Sequence, residues 1–236
     1  GRDYNTVDIG TSTLYNIVFP PFKAAVENNV LTVMNSFNIL NGIPATANKF
    51  LQRDILKGKW KFNGFVVSDW GSIGEMIQHG NVKNEYEAAL SAVTAGSDMD
   101  MESRCYRNNL AQGVKDKKVP VALIDDAVRR ILRKKFELGL FDDPFRFCDA
   151  QREQAALNNP AHTAAARQVA AKSIVLLKNE KNLLPLSKNT KTIAFIGPLV
   201  KPKKQNKGFW DVEVPGVDSN FIVSQWEGLQ NKVGNT

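Results

Sequence analysis

The 236-residue sequence is poor in the residues that build metal centres and disulfide scaffolds: it has two cysteines and two histidines. Cys105 and Cys148 show no CxxC spacing and no neighbouring His, so neither a structural zinc site nor a disulfide framework is indicated. Long apolar runs are lacking too. The longest, such as Ser173 to Leu177 and Thr192 to Ile196, have strand length and fall far short of the roughly 18 residues that cross a bilayer. There is no GxGxxG, no Walker A loop, no GxSxG elbow and no metal-ligand cluster. The first residue is Gly1, and the opening segment GRDYNTVDIG has neither the charge nor the apolar core of a signal peptide, so this end reads as a cut inside a longer polypeptide.

What is present is close to the globular norm, with 43% hydrophobic and 23% charged residues. Lys and Arg number 31 against 24 Asp and Glu, a formal net charge of +7. The excess gathers in two places. Arg129, Arg130, Arg133, Lys134 and Lys135 lie on a helical pattern whose apolar positions Ile124, Val128, Ile131 and Leu132 recur at helical spacing, so these charges read as its solvated face. Lys201, Lys203, Lys204 and Lys207 lie in a loop containing Pro and Gly, without the base-stacking pattern of a single-strand binder. No nucleic-acid partner and no membrane partner is indicated.

Strand and helix patterns alternate. Leu31 to Phe37 and Gly64 to Ser68 are β-branched, apolar and of strand length, and a helical pattern around Phe50 to Lys57 separates them. A helix is predicted near Ser12 to Glu27, a second over Glu85 to Ala95 closed by Gly96, and two more about Tyr106 to Lys115 and Leu123 to Phe136, the last closed by Gly139. The stretch Asp98 to Met101 reads as a further short strand. Alternation of this kind implies a parallel sheet covered on both faces. About three strands and five helices precede Pro144, whereas a closed parallel barrel needs eight strand–helix units, so a barrel reading requires additional sequence. A Gln-, Asn- and Ala-rich linker then runs to Pro160, followed by a helix from His162 to Lys172. Strand candidates Ile174 to Lys178 and Thr192 to Gly197 follow, as though a second α/β domain begins there.

The segment GFVVSDWGSIGEM, residues 64 to 76, carries the clearest chemical signal. A buried strand ends at Asp69, followed at once by an indole and a glycine turn. Reactive groups of parallel α/β folds project from the carboxyl ends of strands, so Asp69 is placed to meet a substrate. Position alone leaves a second reading open, in which Ser68 or Asp69 caps the helix beginning near Ser72. His79 follows one helix and His162 opens another, and both read as surface or capping residues.

TVMNSFNILNGIPATAN, GFVVSDWGSIGEM, AGSDMDM, AVRRILRKKFELGLFDDP and AAKSIVLLKNEKNLLPL, in that order, resemble the blocks of glycoside hydrolase family 3, particularly its β-glucosidase branch. The resemblance spans nearly the whole chain and implies a fold class: α/β, the C-terminal part of a (β/α)8 TIM-type barrel over residues 1–143, a linker over 144–160, and the start of an α/β sandwich domain over 161–236. It implies that Asp69 is the catalytic nucleophile of a retaining β-glycoside hydrolase acting on terminal β-D-glucosyl residues. Such chemistry pairs an attacking carboxylate with a second carboxyl about 5 to 5.5 Å away that serves as acid and then base. Glu75, Asp98, Asp100 and Glu102 are near in sequence, but none is assigned that role, and the resemblance places the acid/base Glu downstream of Thr236.

The same resemblance assigns Trp70 and Trp210 to walls of the sugar site, places Phe37 where relatives often carry a Tyr, and sets Met101 at its border. Indoles suit this task because the apolar face of a pyranose packs on an aromatic ring. It implies no metal or organic cofactor, a small-molecule or oligosaccharide substrate, and a secreted or periplasmic location. It also implies an inactive isolated chain prone to self-association or to pairing with an upstream segment. Alternatives are a β-xylosidase or β-N-acetylglucosaminidase of the same family, or a non-catalytic carbohydrate-binding or structural fragment.

Overall fold

Two neighbouring strands set the geometry of the first part of the chain in the computed structural model, which describes residues 3–157, 159–187, 189–208 and 222–234. Strands β2 (Thr32–Met34) and β5 (Phe65–Val67) run parallel, with Thr32 opposite Phe65, Val33 opposite Val66 and Met34 opposite Val67. Val67 then bridges in parallel to Met99, so the stretch after Gly96 forms a third rung, though only a single bridge long. A second small sheet joins β1 (Thr6–Val7), β3 (Ile39–Leu40) and β4 (Ile43–Pro44). Strands β3 and β4 form a hairpin whose turn residues Asn41 and Gly42 both have positive φ, 50° and 79°. Asn-Gly suits that turn because both central positions require the left-handed region.

Helices connect the strands. Helix α1 passes through Thr11–Thr13, a π-helical Leu14–Val18 and Phe19–Glu27, while α2 (Phe50–Lys59) is π-helical throughout. After β5 come α3 (Ser72–Glu75), α4 (Glu85–Ala95), α5 (Cys105–Lys115) and α6 (Val121–Glu137). Helix α4 starts where the Asn84 side chain accepts from the Glu87 N–H and ends at Gly96, whose φ of 115° is open to glycine. Its alanines allow close approach. Ala88, Ala89 and Ala92 pack with Ile73, Met76 and Cys105 in a fully buried cluster. Burial stabilises side chains such as Ile73 and Met76 by about 1.5–3 kcal/mol each.

The chain divides into two compact units, residues 1–154 and 155–236. Helix α7 (Ala150–Leu157) lies within the Gln-, Asn- and Ala-rich stretch expected to be a linker, and α8 (Pro160–Ser173) follows it. In the second unit α9 (Gln225–Val233) begins with a capping box made by Ser224 and Glu227. The strands expected at 174–178 and 192–197 are not formed: neither segment joins a ladder among the described residues, and Leu177 is 92% exposed. A β-strand exists only when a neighbour takes its backbone donors and acceptors, and sequence pattern cannot supply that neighbour.

The basic face of α6 is solvated at Arg129, Arg133 and Lys135, as expected, but not at Arg130 and Lys134. Arg130 donates to the main-chain oxygens of Phe62 and Gly64 at 3.0 and 2.9 Å, and Lys134 is buried against Glu137. Conversely Val128 and Leu132, on the apolar stripe, are exposed. Arg130 turns inward because two strand-edge carbonyls near β5 need donors. Among the described residues no helix is long and apolar enough to cross a membrane.

Candidate active site

Asp69 sits two residues beyond β5, and its backbone is held from three sides. Ser68, fully buried, donates its N–H to the Met99 oxygen at 2.8 Å, and its Oγ accepts the Met101 N–H at 2.8 Å while lying 3.0 Å from the Asp69 carbonyl oxygen, to which it donates. Gly71 donates to the Met101 oxygen at 2.8 Å. Its φ of 72° lies in the left-handed region, and this lets the chain turn sharply after the indole.

Beneath this turn runs a buried polar network. Asn35, following β2, donates to Ser97 Oγ at 2.7 Å; Gln52 Nε2 donates to the main-chain oxygens of Ala45 and Thr46; and Thr46 Oγ1 donates to Ser72 Oγ at 3.1 Å. The network ties β2, α2 and the segment at Ser97 to the start of α3. Satisfied polar groups of this kind specify a single arrangement, because each would be costly to leave unpaired.

The Asp69 carboxylate is not spent on the helix that follows. Helix α3 begins at Gly71 with no side-chain cap, and Ser72 donates instead to the main-chain oxygen of Asp69 at 3.1 Å. Asp69 Oδ1 accepts the Trp70 N–H at 2.7 Å, and the other carboxylate oxygen takes no donor among the described residues. The capping reading of Asp69 and Ser68 is therefore corrected. A half-buried acid with one oxygen free at a strand end is positioned to react with a bound molecule.

The expected site residues fall as follows. Trp70 projects into solvent, 65% exposed, immediately after Asp69. Met101 is half-buried on the adjacent rung, tied by its main chain to Ser68 and Gly71. Phe37 is half-buried beyond the end of β2, the strand beside β5, so it and Asp69 occupy neighbouring strand ends. Trp210 lies outside the described residues. The nearby acids have structural tasks: Asp98 pairs with Lys57 and accepts the Val66 N–H, and Asp100 accepts from Ser103 Oγ and the Tyr106 N–H at the start of α5.

Two residues near Asp69 were not foreseen as neighbours. Tyr4 stacks on Phe37 and donates its hydroxyl to Glu75, and His79 is half-buried, its Nδ1 closed off from solvent without a hydrogen-bond partner among the described residues. Nothing in the sequence marks Tyr4, which lies far upstream of the VSDW segment. A separate cavity of about 690 Å3 lies against β2, α1 and α2, with Leu14, Phe19, Val33, Ile55 and Trp60 in its wall; Asp69 and Trp70 do not line it. Among the described residues no three His, Cys, Asp or Glu side chains gather in a group that could hold a metal ion.

The family model described as the glycosyl hydrolase family 3 N terminal domain matches residues 1–134, and that of the glycosyl hydrolase family 3 C-terminal domain matches residues 174–236. A periplasmic beta-glucosidase of Salmonella typhimurium is 39% identical over 238 residues, which is 100% of this chain and 31% of that protein. A beta-xylosidase of Formosa agariphila is 34% identical over 96% of this chain and 33% of its own length. Among solved structures, the beta-glucosidase from Listeria innocua in complex with glucose superposes with a TM-score of 0.68 at 40% identity, covering 79% of this chain and 25% of that one. An α/β fold with a free carboxylate at a strand end, carrying these similarities, places the chain among the glycosyl hydrolases. It belongs to glycosyl hydrolase family 3. The chain spans about a third of the length of the curated relatives it matches.

Proposed function

We propose that this chain carries the nucleophile of a retaining β-glycoside hydrolase of the β-glucosidase type. The observation that carries the reading is Asp69 just beyond β5, its main chain fixed by contacts among Ser68, Gly71 and Met101 and its carboxylate left with one oxygen free of donors among the described residues. In the proposed reaction that oxygen attacks the anomeric carbon of a terminal β-glucosyl residue. The C–O bond to the aglycone breaks, and a general acid gives the leaving oxygen its proton. The glycosyl–Asp69 ester is then cleaved by water, activated by the same group acting as base, which releases the sugar with its configuration retained.

The acid/base in this reading is the second-domain Glu that the family resemblance places downstream of Thr236; among the nearby acids, Asp98 and Asp100 are engaged structurally and Glu75 is held by Tyr4. Residues 1–143 would be the C-terminal part of a (β/α)8 barrel and residues 161–236 the start of an α/β sandwich domain. Trp70, Trp210, Phe37 and Met101 would border the sugar and aglycone. By itself the chain would be inactive, and the parent enzyme would act in the periplasm or outside the cell.

The test is a covalent trap. The longest native polypeptide carrying these residues is incubated with a 2-fluoro-β-glucoside, in parallel with a 2-fluoro-β-xyloside, and then mapped by peptide mass. Label on Asp69, lost in Asp69→Asn together with a fall in turnover of roughly 10⁴-fold or more, supports the proposal. Faster labelling by the xyloside makes the enzyme a β-xylosidase. No label on Asp69 from either sugar overturns the nucleophile assignment and favours a binding or structural role.

A further inference from the structure

Tyr4 spans the ends of the two central strands. Its ring lies on the face of Phe37, with centroids 4.4 Å apart and planes 15° from parallel, and meets the His79 ring edge-on at 6.4 Å. Its hydroxyl donates to Glu75 Oε1 at 3.3 Å. Phe37 follows β2, and Glu75 closes α3, the short helix that follows Asp69. One side chain therefore joins the segments that emerge from two adjacent parallel strands, the second of which carries Asp69.

Two further observations set this contact apart from ordinary packing. Tyr4 has a φ of 57°, a conformation that a bulky side chain rarely adopts, and its N–H turns back to Asp3 Oδ1 at 3.1 Å. Strain of this kind persists where the surroundings over-determine it, and it clusters at functional sites. Among the described residues Glu75 Oε2 and His79 Nδ1 are buried without a hydrogen-bond partner, and the Tyr4 hydroxyl is the side-chain donor that meets Glu75 Oε1.

We propose that Tyr4 is a positioning residue for the nucleophile: its ring braces Phe37 and its hydroxyl anchors Glu75, which together hold the wall beside Asp69 in shape. The inference rests on the reading of Asp69 as nucleophile. Tyr4 is 55% exposed, and partial burial of its phenol, together with the charge and hydrogen bond of Glu75 and the charges of Asp3 and Asp69, raises its pKa above the ordinary value. The phenol thus lies within the field of the acid it is inferred to serve.

Two measurements test this. The first compares the rate of 2-fluoroglycoside labelling in Tyr4→Phe, Glu75→Met and the double variant, in the same polypeptide as the trapping experiment. Each single change is expected to slow labelling about tenfold with an unchanged melting temperature, and the double variant is expected to be no slower than either, because both break one contact. An unchanged rate in Tyr4→Phe, or effects that multiply in the double variant, overturns the proposal. The second needs no activity. NMR titration of ring-labelled tyrosine, with Tyr4 assigned through Tyr4→Phe, is expected to show Tyr4 ionising at lower pH in both Glu75→Met and Asp69→Asn. If Asp69→Asn leaves the Tyr4 midpoint in place, the phenol does not sense the nucleophile and the proposal falls. A protein that takes no label yet shows these shifts keeps the bridge and loses only the hydrolase reading.

Discussion

Lys57 Nζ lies 2.6 Å from an Asp98 carboxylate oxygen, and both side chains are nearly shut off from solvent, at 6% and 2% exposure. Lys57 also donates to the Gly96 oxygen at 2.7 Å, and Asp98 accepts the Val66 N–H at 2.8 Å. The pair thus pins α2 to the rung beside β5, directly under the turn that presents Asp69. Burial lowers the Lys57 pKa, and the charge and hydrogen bond of Asp98 offset part of that effect. Breaking one half of such a pair strands the other charge, so Asp98→Ala is expected to cost about 3–5 kcal/mol. The double variant Lys57→Met/Asp98→Asn should cost less than the two single changes combined. Urea denaturation of wild type, Asp98→Ala, Lys57→Met, Asp98→Asn and the double variant measures both quantities.

Tyr106 supplies a pH dependence with a definite sign. Its hydroxyl donates to the Ser97 oxygen at 2.7 Å, and burial, reinforced by the charges of Asp98 and Asp100, holds its pKa well above the ordinary value. In the unfolded chain the phenol loses its proton near pH 10. The Tyr106 contribution is therefore intact below about pH 10 and is lost as pH rises through the higher folded value. Tyr106→Phe should cost about 1–3 kcal/mol at neutral pH by leaving the Ser97 carbonyl without its donor. The difference between wild type and variant should shrink above pH 10, as read from urea midpoints across the alkaline range.

Trp70 separates function from stability. Its indole is 65% exposed, so Trp70→Ala should change the unfolding free energy by less than about 0.5 kcal/mol. If the ring packs on sugar, the loss of an aromatic contact of about 1 kcal/mol should weaken aryl-glycoside binding roughly fivefold. Isothermal titration with a non-hydrolysed glycoside, beside a thermal melt, distinguishes the two effects. Unchanged binding would remove Trp70 from the sugar site.

At the start of α9 the Glu227 carboxylate accepts from Lys203 and from the Ser224 backbone and side chain, and these interactions lower its pKa to about 2. Because the folded value lies below the unfolded one, this support of α9 is complete above about pH 4.5 and is lost as pH falls through about 2. Amide protection in residues 225–233, with exchange corrected for its intrinsic pH dependence, should fall across that interval, and Ser224→Ala should raise the pH at which the fall begins. An acid-insensitive helix would contradict the capping-box account.

Phe136 and Phe141 are exposed, their rings 6.4 Å apart, and Phe145 and Phe147 are exposed nearby in sequence. An apolar surface of this kind drives association. The isolated chain should elute ahead of a monomer in size-exclusion chromatography with light scattering, and Phe136→Ser/Phe141→Ser should shift it toward the monomer. A wild-type monomer at tens of micromolar would count against self-association.

Much of the first unit was legible because its signals are local. The helix Glu85–Ala95 and its Gly96 terminator follow from a 3.6-residue pattern and a residue suited to the left-handed region. The strand before Asp69 follows from a short β-branched run. The Asn41-Gly42 hairpin is also written locally, as an Asn-Gly pair between apolar residues. Segments 174–178 and 192–197 misled for the opposite reason. Their composition states a preference for strand, but a ladder needs a partner, and none pairs with them among the described residues.

The sequence alone determined the main helices of the first unit and the strand before Asp69, the position of an acid at the end of a β-branched run, and a family resemblance resting on contiguous blocks. Only the tertiary structure decided which groups surround that acid. Tyr4 and Glu75 are 71 residues apart, Asn35 and Ser97 are 62 apart, and Lys57 and Asp98 are 41 apart. It likewise turned Arg130 inward and left the Asp69 carboxylate free of the following helix. The physical reason is common to all of these. Local pattern fixes what a backbone segment prefers, whereas hydrogen bonds and ring contacts between distant side chains depend on the parallel register of β2 and β5, which no single segment specifies.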